Sequence, residues 1–309
     1  MKKFITQKQT RYKLITIGLF LGIGLYAGEF DENLKECEQN KPKACSLVAK
    51  AYLNGNGVKA DPKKAVEYYT KACDLKNGVS CYLLGILYEG TSQKLTQKFG
   101  NIAKDKRRAS EFYEKSCRYD SDGNLCSNIA INLEKREDFT NAFNYYKKGC
   151  DKGSLNSCML MANAYDDGKG VTKNPKKAFE LYKEGCQQGY KPSCGLLGNA
   201  YKEGVVVKQD LKKASKYFEM ACDTNIYEFC AEAGFLYLQG NGVTKDMKKA
   251  ISLNQKACDG GVGFSCMTLG VMAYRGDGMK QDKEKAISLF KQACELGDEN
   301  GCNKYKALQ

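Results

Sequence analysis

The sequence predicts an all-α protein, an α solenoid of about seven disulfide-clamped αα-hairpin repeats wound into a right-handed superhelix. Sixteen cysteines fall into eight couples that recur with a period of 36 residues over most of the chain. The segments between the couples repeat the same small, glycine and aromatic residues. A fixed period of roughly 20 to 50 residues is typical of stacked repeats, in which each unit buries its apolar face against its neighbours. The couples are Cys37 and Cys45, Cys73 and Cys81, Cys117 and Cys126, Cys150 and Cys158, Cys186 and Cys194, Cys222 and Cys230, Cys258 and Cys266, and Cys294 and Cys302.

The first helix of each repeat, the A helix, is predicted to start near the second cysteine of a couple. A small residue stands four positions after that cysteine, as at Gly85 and Gly198, and a tyrosine stands seven positions after it in five repeats, as at Tyr88 and Tyr201. Spacings of four and three place both residues on one helical face. The small residue therefore lets a partner helix approach closely while the large one fills the space beside it.

The second helix, the B helix, follows a glycine-rich turn such as Gly55-Asn56-Gly57. Glycine runs end a helix and permit positive φ, and Asp61-Pro62 supplies a cap and a proline where a helix should begin. An alanine then recurs in every B helix with an aromatic residue four positions later in most of them. Asn254 breaks this aromatic column, so its side chain is expected to be either exposed at an edge or hydrogen-bonded.

Residues 1–27 are predicted to be a signal peptide, followed by a single solenoid over 28–309. The leader has five basic residues, no acidic residue and an apolar run of 12 from Leu14 to Leu25, which is too short to span a bilayer. Cleavage is expected after Ala27, with an uncleaved anchor as the alternative. We therefore expect the protein to be secreted or periplasmic, with no stable membrane insertion after the signal peptide is removed.

Within 28–309 we expect a partial leading helix at 29–42, seven repeats at 44–300 and a partial trailing helix at 301–309. An irregular insertion at about 91–104 replaces the glycine turn of one repeat, and the next repeat is short. An enlarged loop of this kind is either a binding element or a tolerated surface insertion.

An exported chain meets an oxidising environment, so the even count of cysteines in regular couples favours eight disulfides. Zinc is disfavoured because zinc ligands are usually two to four residues apart and often include histidine, which this chain lacks. No metal and no cofactor is expected. The connectivity of the cysteines remains open from sequence alone.

Paired lysines precede the alanine of four B helices, at Lys63-Lys64, Lys176-Lys177, Lys212-Lys213 and Lys248-Lys249. The formal net charge is +13. A repeated solvated helix face explains the pairs, and attraction to anionic glycans or membranes is the alternative. Export argues against a nucleic acid as the partner.

The motifs Leu-Gly-x-x-Tyr, Gly-x-Gly-Val and Lys-Lys-Ala-x-x-x-Tyr resemble the Sel-one-like repeat, a relative of the tetratricopeptide repeat. With a signal peptide and one cysteine couple per unit, the chain resembles the Helicobacter cysteine-rich protein family over about residues 29–309. The resemblance implies an exported α solenoid with bridged couples. It also implies penicillin binding or weak β-lactamase activity, and presentation to a host.

The catalytic residues that such an activity needs are not identifiable, so the sequence leaves open whether the protein is an enzyme. Ser288 and Lys291 match Ser-x-x-Lys on a predicted helix, but no Ser-Asp-Asn or Lys-Thr-Gly accompanies them. The lack of histidine removes histidine-based triads. The serine motif is therefore interpreted as a chance match.

The preferred function is a scaffold that binds a peptide, a cell-wall fragment or a host protein on its concave face, with weak β-lactam hydrolysis as the alternative. Positions one, five and eight after the second cysteine share one face of the A helix. Asn163 and Asn199 are equivalent in consecutive repeats, and amides in register suit an extended peptide backbone. The predicted ligand residues are Lys50, Asn163, Asn199 and Lys202, and packing against the preceding helix is the competing explanation.

Overall fold

The computed structural model describes residues 28–308, which contain seventeen helices and no strand. The helices are α1 (28–38), α2 (Pro42–Asn54), α3 (Pro62–Asp74), α4 (Gly78–Glu89), α5 (Gln93–Lys98), α6 (Lys106–Tyr119), α7 (Asn124–Glu134), α8 (Phe139–Asp151), α9 (Leu155–Asp167), α10 (Pro175–Gln187), α11 (Lys191–Glu203), α12 (Leu211–Ala221), α13 (Glu228–Gln239), α14 (Met247–Asp259), α15 (Gly263–Arg275), α16 (Lys283–Glu295) and α17 (Glu299–Ala307). The predicted signal peptide lies outside the described residues.

Two compact units divide the chain, one ending at Ser157 and the other starting at Cys158. In the first unit α2 packs on α3, α4 on α6 and α7 on α8, and in the second α11 packs on α12, α13 on α14 and α15 on α16. Helices α9 and α10 form a further hairpin through a shared core of Ala162, Ala178 and Tyr182. The predicted all-α fold of seven αα-hairpins is therefore confirmed. The predicted continuity of one solenoid over 28–309 remains a prediction.

Each B helix begins after an aspartate or asparagine whose side chain caps the helix, as these residue types predict. The carboxylate of Asp61 accepts hydrogen bonds from the backbone N–H groups of Lys63 and Lys64, and Asp246 accepts one from Lys249. Such a cap satisfies backbone donors that have no partner inside the helix. A helices end at glycines such as Gly240, whose φ of 73° lies in the left-handed region. Caps and glycines together fix the length of each hairpin.

Disulfides join the B helix of one hairpin to the A helix of the next. In each bridge the Cα atoms of the two bonded cysteines lie 4.4 to 4.8 Å apart. Each closes a loop of about nine residues, which in the chain-entropy model stabilises the fold by roughly 2.5 kcal/mol. The bridges are Cys37–Cys45, Cys73–Cys81, Cys117–Cys126, Cys186–Cys194, Cys222–Cys230, Cys258–Cys266 and Cys294–Cys302. Cys150 and Cys158 are disulfide-bonded as well, and no cysteine of residues 28–308 is free.

The core of each hairpin is a contact between a small residue and a large one. A Cβ atom on Gly270 would lie 2.6 Å from the ring of Phe290, so only glycine admits the ring at this distance. Asn254 takes the place of the aromatic residue against Gly234. It is only 1% exposed, and its Nδ2 donates to the Ala250 carbonyl oxygen at 2.9 Å. Of the two predicted alternatives for Asn254, the hydrogen-bonded one is therefore correct.

The insertion at about 91–104 contains the short helix α5 and packs into the core of the first unit. Phe99 is 2% exposed, and its ring centroid lies 6.0 Å from that of Tyr69 in α3. The Lys98 Nζ donates to Asn54 Oδ1 at 2.7 Å. The segment is thus anchored on the preceding hairpin by a buried aromatic side chain and is not a detached surface loop.

Candidate protein-binding face

The A helices lie side by side, and polar contacts join neighbouring ones. In the first unit Asn132 of α7 donates to the hydroxyl of Tyr82 in α4 at 2.8 Å, and Arg136, in the turn after α7, pairs with Glu89 of α4. In the second unit the Lys202 Nζ of α11 lies 2.8 Å from the Glu232 carboxylate of α13. The outward side of these helices therefore forms a surface within each unit, which we call the A face.

The A face of the second unit exposes apolar side chains. Phe235 in α13 is 40% exposed and Tyr274 in α15 is 37% exposed, while Val271 is half-buried. Large aromatic residues at a protein surface are typical anchors of protein interfaces. The half-buried amides of Asn163 and Asn199 occupy equivalent positions on α9 and α11 of the same face. This face therefore combines apolar contact area with half-buried amide side chains.

The predicted ligand residues have different surroundings. The Asn163 Oδ1 accepts a hydrogen bond from the Tyr182 hydroxyl at 2.7 Å, which fixes the amide orientation. Lys202 forms the ion pair with Glu232 described above, and its Nζ lies 5.8 Å from the Phe218 ring centroid. Asn199 is half-buried. Three of the predicted residues thus belong to the second unit, and their ligand role remains a prediction.

Lys50, the fourth predicted residue, belongs to the first unit. It lines a cleft of about 130 Å³ between α1 and α2, together with Phe30, Asn33 and Leu47. Leu47 is 37% exposed there. The structure therefore divides the predicted ligand set between the two units.

Two residues of the A face, Phe235 and Glu232, were not among the ligand residues predicted from the sequence. Phe235 stands five positions after Cys230, as Asn199 does after Cys194, but it is apolar and is not among the polar residues predicted to bind a ligand. Glu232, two positions after its cysteine, was outside the positions considered. A wider helical window would have included it, because positions two and five lie about 60° apart around the helix axis.

Tyrosines near the A helices act as neutral hydrogen-bond donors. Burial and a hydrogen bond to Glu89 raise the pKa of Tyr113, whose hydroxyl lies 2.7 Å from that carboxylate. Burial is also the main cause of the raised pKa of Tyr182, helped by the charges of Asp166 and Asp167. These tyrosines remain protonated at neutral pH and stabilise the hairpins.

The Ser288 motif lies on an exposed side of α16. Ser288 is exposed, and the Lys291 Nζ is 3.8 Å from the Glu295 carboxylate one turn further along the helix. A serine nucleophile needs a base within hydrogen-bond reach and an oxyanion site. The exposed helix surface around Ser288 gives no support for that role.

Residues 28–308 have no cluster of three or more cysteine, aspartate or glutamate side chains placed to hold a metal ion. None of the helices in this part of the chain combines the length and the apolar composition that crossing a bilayer requires.

The stacked antiparallel hairpins and the exposed A faces define an α-solenoid repeat protein. Seven segments match the Sel1 repeat model, at 42–77, 78–118, 132–154, 155–190, 192–224, 228–262 and 264–298. The chain therefore belongs to the Sel1 repeat family. The resemblance predicted from the sequence motifs is confirmed at this level.

Individual relatives match parts of the chain to different extents. Cytochrome c oxidase assembly factor 7 of Xenopus tropicalis is 32% identical over 156 residues, which is 46% of this chain and 63% of that protein. The match therefore spans less than two thirds of that relative. A Sel1 repeat protein from Oxalobacter formigenes superposes with a TM-score of 0.74 at 21% identity, covering 91% of this chain and 80% of the other. Helicobacter pylori cysteine rich protein B is 29% identical and covers 42% of this chain and 97% of the other, with a TM-score of 0.33.

Proposed function

We propose that this protein is an exported Sel1 repeat scaffold that binds an extended peptide segment of a partner protein on the A face of its second unit. The supporting observation is the exposure of Phe235 and Tyr274 beside the in-register amides of Asn163 and Asn199. Sel1 repeats and the related tetratricopeptide repeats generally mediate protein–protein interaction, so a partner protein suits the fold. Extended peptides gain affinity from backbone hydrogen bonds and specificity from side-chain contacts.

Export is supported by the bonded state of the cysteines. Sixteen bonded cysteines suit an oxidising periplasmic or extracellular compartment, since cytosolic thiols are normally kept reduced. The basic and apolar residues of 1–27 fit a signal peptide that directs the chain there. The name of the Xenopus relative, an assembly factor, is compatible with a protein that acts by binding other proteins.

The β-lactamase alternative rests on resemblance alone. Ser288 is exposed and Lys291 is directed to Glu295, so neither residue supports a nucleophile and base pair. We therefore propose binding and not hydrolysis.

The test is a peptide-library selection on oxidised protein that lacks residues 1–27, followed by anisotropy titration of the selected peptides. Phe235→Ala and Asn199→Ala should each weaken binding by about tenfold or more, because interface anchors contribute about 2 kcal/mol or more. Met220→Ala is the matched control, since Met220 is also 40% exposed but lies on the B helix α12. Peptides that lose affinity only with the control variant would place the binding surface on the B helices and refute the proposal.

A further inference from the structure

The two lysines of each pair have different surroundings in the second unit. The second lysine covers the tyrosine of its own hairpin, with Nζ to ring-centroid distances of 4.5 Å for Lys177 on Tyr165, 5.0 Å for Lys213 on Tyr201 and 4.2 Å for Lys249 on Tyr237. The first lysine, at Lys176, Lys212 and Lys248, is exposed. Within the described residues these three ammonium groups have no ion pair or hydrogen bond, so they are available to a ligand.

Neighbouring hairpin tips touch each other, which makes the exposed lysines part of one surface. The backbone of Gly242 lies against the start of α12, where an added Cβ atom would be 2.4 Å from the Leu211 Cβ and 2.7 Å from the Lys212 nitrogen. The backbone of Gly278 lies in the same way against Met247 at the start of α14. Lys212 and Lys248 are therefore each adjacent to the turn of the next hairpin.

Loop lysines extend this surface. We define the lysine strip as Lys173, Lys176, Lys208, Lys212, Lys245 and Lys248, all of which are exposed. Lys212, Lys245 and Lys248 line one surface depression of about 910 Å³. Because the hairpins repeat the same fold, equivalent lysines recur once per hairpin along the unit.

Two acidic residues beside the strip, Asp210 and Asp246, are engaged, whereas Asp277 at the tip of the next hairpin is exposed. Asp210 and Asp246 cap their helices by accepting hydrogen bonds from the backbone N–H groups of Lys213 and Lys249, and Asp210 also pairs with the Lys213 ammonium group. The opposite edge of the unit, which holds the disulfide turns, is acidic. There Asp223, Glu228, Asp259, Glu295, Asp298 and Glu299 occur, with Lys191 and Lys256 paired to Asp223 and Lys291 paired to Glu295. This segregation of charge creates a positive potential along the strip.

We propose that the lysine strip binds a linear polyanionic glycan that bears sulfate or carboxylate groups. A row of unpaired ammonium groups at a regular spacing matches a chain with anionic groups along its length. Single-stranded nucleic acids are bound largely by stacking on free aromatic rings, whereas Tyr165, Tyr201 and Tyr237 are covered by lysines. This surface is separate from the A face and does not depend on peptide binding.

A membrane surface suits the strip less well than a glycan does. Peripheral insertion requires apolar residues beside the basic ones. The tips of the four hairpins present Lys169, Val205, Asn241 and Asp277, and only Val205 is apolar. A single valine, although 79% exposed, supplies little area for insertion.

The test uses a heparin dodecasaccharide as the probe and oxidised protein that lacks residues 1–27. The triple variant Lys176→Gln, Lys212→Gln, Lys248→Gln should bind about 100-fold more weakly, since each lysine near an anionic surface contributes roughly a factor of five. Its affinity should also depend less steeply on salt concentration. The control is Lys43→Gln, Lys216→Gln, Lys304→Gln, which removes the same charge from exposed positions outside the strip.

Phosphatidylglycerol vesicles and single-stranded DNA serve as competing anionic probes, and heparin length is varied as well. Affinity for heparin should rise with length from tetrasaccharide to dodecasaccharide, because a longer chain reaches more hairpins. Equal weakening in both triple variants would mean attraction by net charge alone and would overturn the proposal. Tighter strip-dependent binding to phosphatidylglycerol vesicles or to single-stranded DNA than to heparin would also overturn it, and circular dichroism confirms that each variant is folded.

Discussion

The Lys249 ammonium group lies 4.2 Å from the centroid of the Tyr237 ring and donates to the Tyr237 hydroxyl at 2.8 Å. The same ammonium pairs with Glu219 at 2.7 Å, so one lysine joins the A helix of its own hairpin to the B helix of the preceding one. Burial alone lowers the pKa of Lys249, but Glu219 and Tyr237 outweigh burial and hold it above its ordinary value. One lysine of the repeated pair is therefore structural.

Replacing Lys249 with methionine should lower the free energy of unfolding by about 1 kcal/mol, because it removes a cation–π contact and a charged hydrogen bond that solvent partly screens at this site. Urea unfolding of the oxidised protein measures this. Lys248→Met is the control and should change stability by less than about 0.5 kcal/mol, because its side chain is exposed. Equal effects of the two substitutions would show that the contacts of Lys249 contribute nothing to stability.

The contact between Gly270 and Phe290 gives a second prediction. Alanine is a better helix former than glycine by about 1 kcal/mol, yet its Cβ would lie 2.6 Å from the ring. Gly270→Ala should therefore destabilise the protein by a net of roughly 1 to 2 kcal/mol, because the clash with the Phe290 ring outweighs the gain in helix propensity.

A double-mutant cycle with Phe290→Leu tests the cause of that loss. The smaller leucine removes the clash, so Gly270→Ala should be nearly neutral or stabilising in the Phe290→Leu background. Additive effects of the two substitutions in thermal unfolding would contradict the packing explanation.

The repeated parts of the fold were predictable because each signal occurs many times. The glycines and alanines four residues after the second cysteine predicted the close approach of two helices, and Gly270 against Phe290 is an example. The cap residue Asp61 predicted a helix start that the structure has. Local chemistry determines such features, so a single sequence suffices to find them.

Features that depend on spatial neighbours were not predictable. Phe99 has no equivalent in other repeats, so no periodicity marked it as a core residue. The two lysines of a pair are adjacent in sequence, and only the fold separates the one over Tyr237 from the exposed one. The A face combines positions from several helices, so its exposed aromatic residues can be assessed only after packing is known.

Phe99 gives a third prediction. Because its side chain is 2% exposed and contacts Tyr69, Phe99→Ala should destabilise the first unit by about 3 kcal/mol. Hydrogen exchange should increase in α5 and α3, and urea unfolding should shift to lower concentrations. Gln97→Ala on the exposed side of α5 is the control and should have little effect. If Phe99→Ala left the stability unchanged, the insertion at about 91–104 would be a tolerated surface insertion.

Glu114 gives a pH-dependent prediction. Burial is the largest single influence and raises its pKa, but hydrogen bonds from Lys148 and Tyr145 outweigh it and lower the pKa of Glu114. A lowered pKa in the folded state means that the stabilisation is present above the unfolded pKa and is lost as the pH falls through the folded one.

The comparison of wild type with Glu114→Gln by urea unfolding should therefore show wild type more stable at pH 7. The difference should be under about 1 kcal/mol because the pair is partly exposed, and it should disappear as the pH falls below the folded pKa. If the difference in stability between wild type and Glu114→Gln grew as the pH fell, the predicted pH dependence would be wrong.

The terminal disulfide Cys294–Cys302 should be reduced before the buried ones. Both of its cysteines are half-buried, whereas Cys73 and Cys81 are 0% exposed. Helix α17 packs on α16 and α15 but buries only Gly301 among its nine residues, so few buried contacts oppose its opening. Mild reduction followed by alkylation and mass spectrometry should label Cys294 and Cys302 at low thiol concentrations that leave Cys73 and Cys81 unlabelled. Simultaneous labelling of both pairs would mean that the solenoid opens cooperatively, and that stability at this end is no lower than in the first unit.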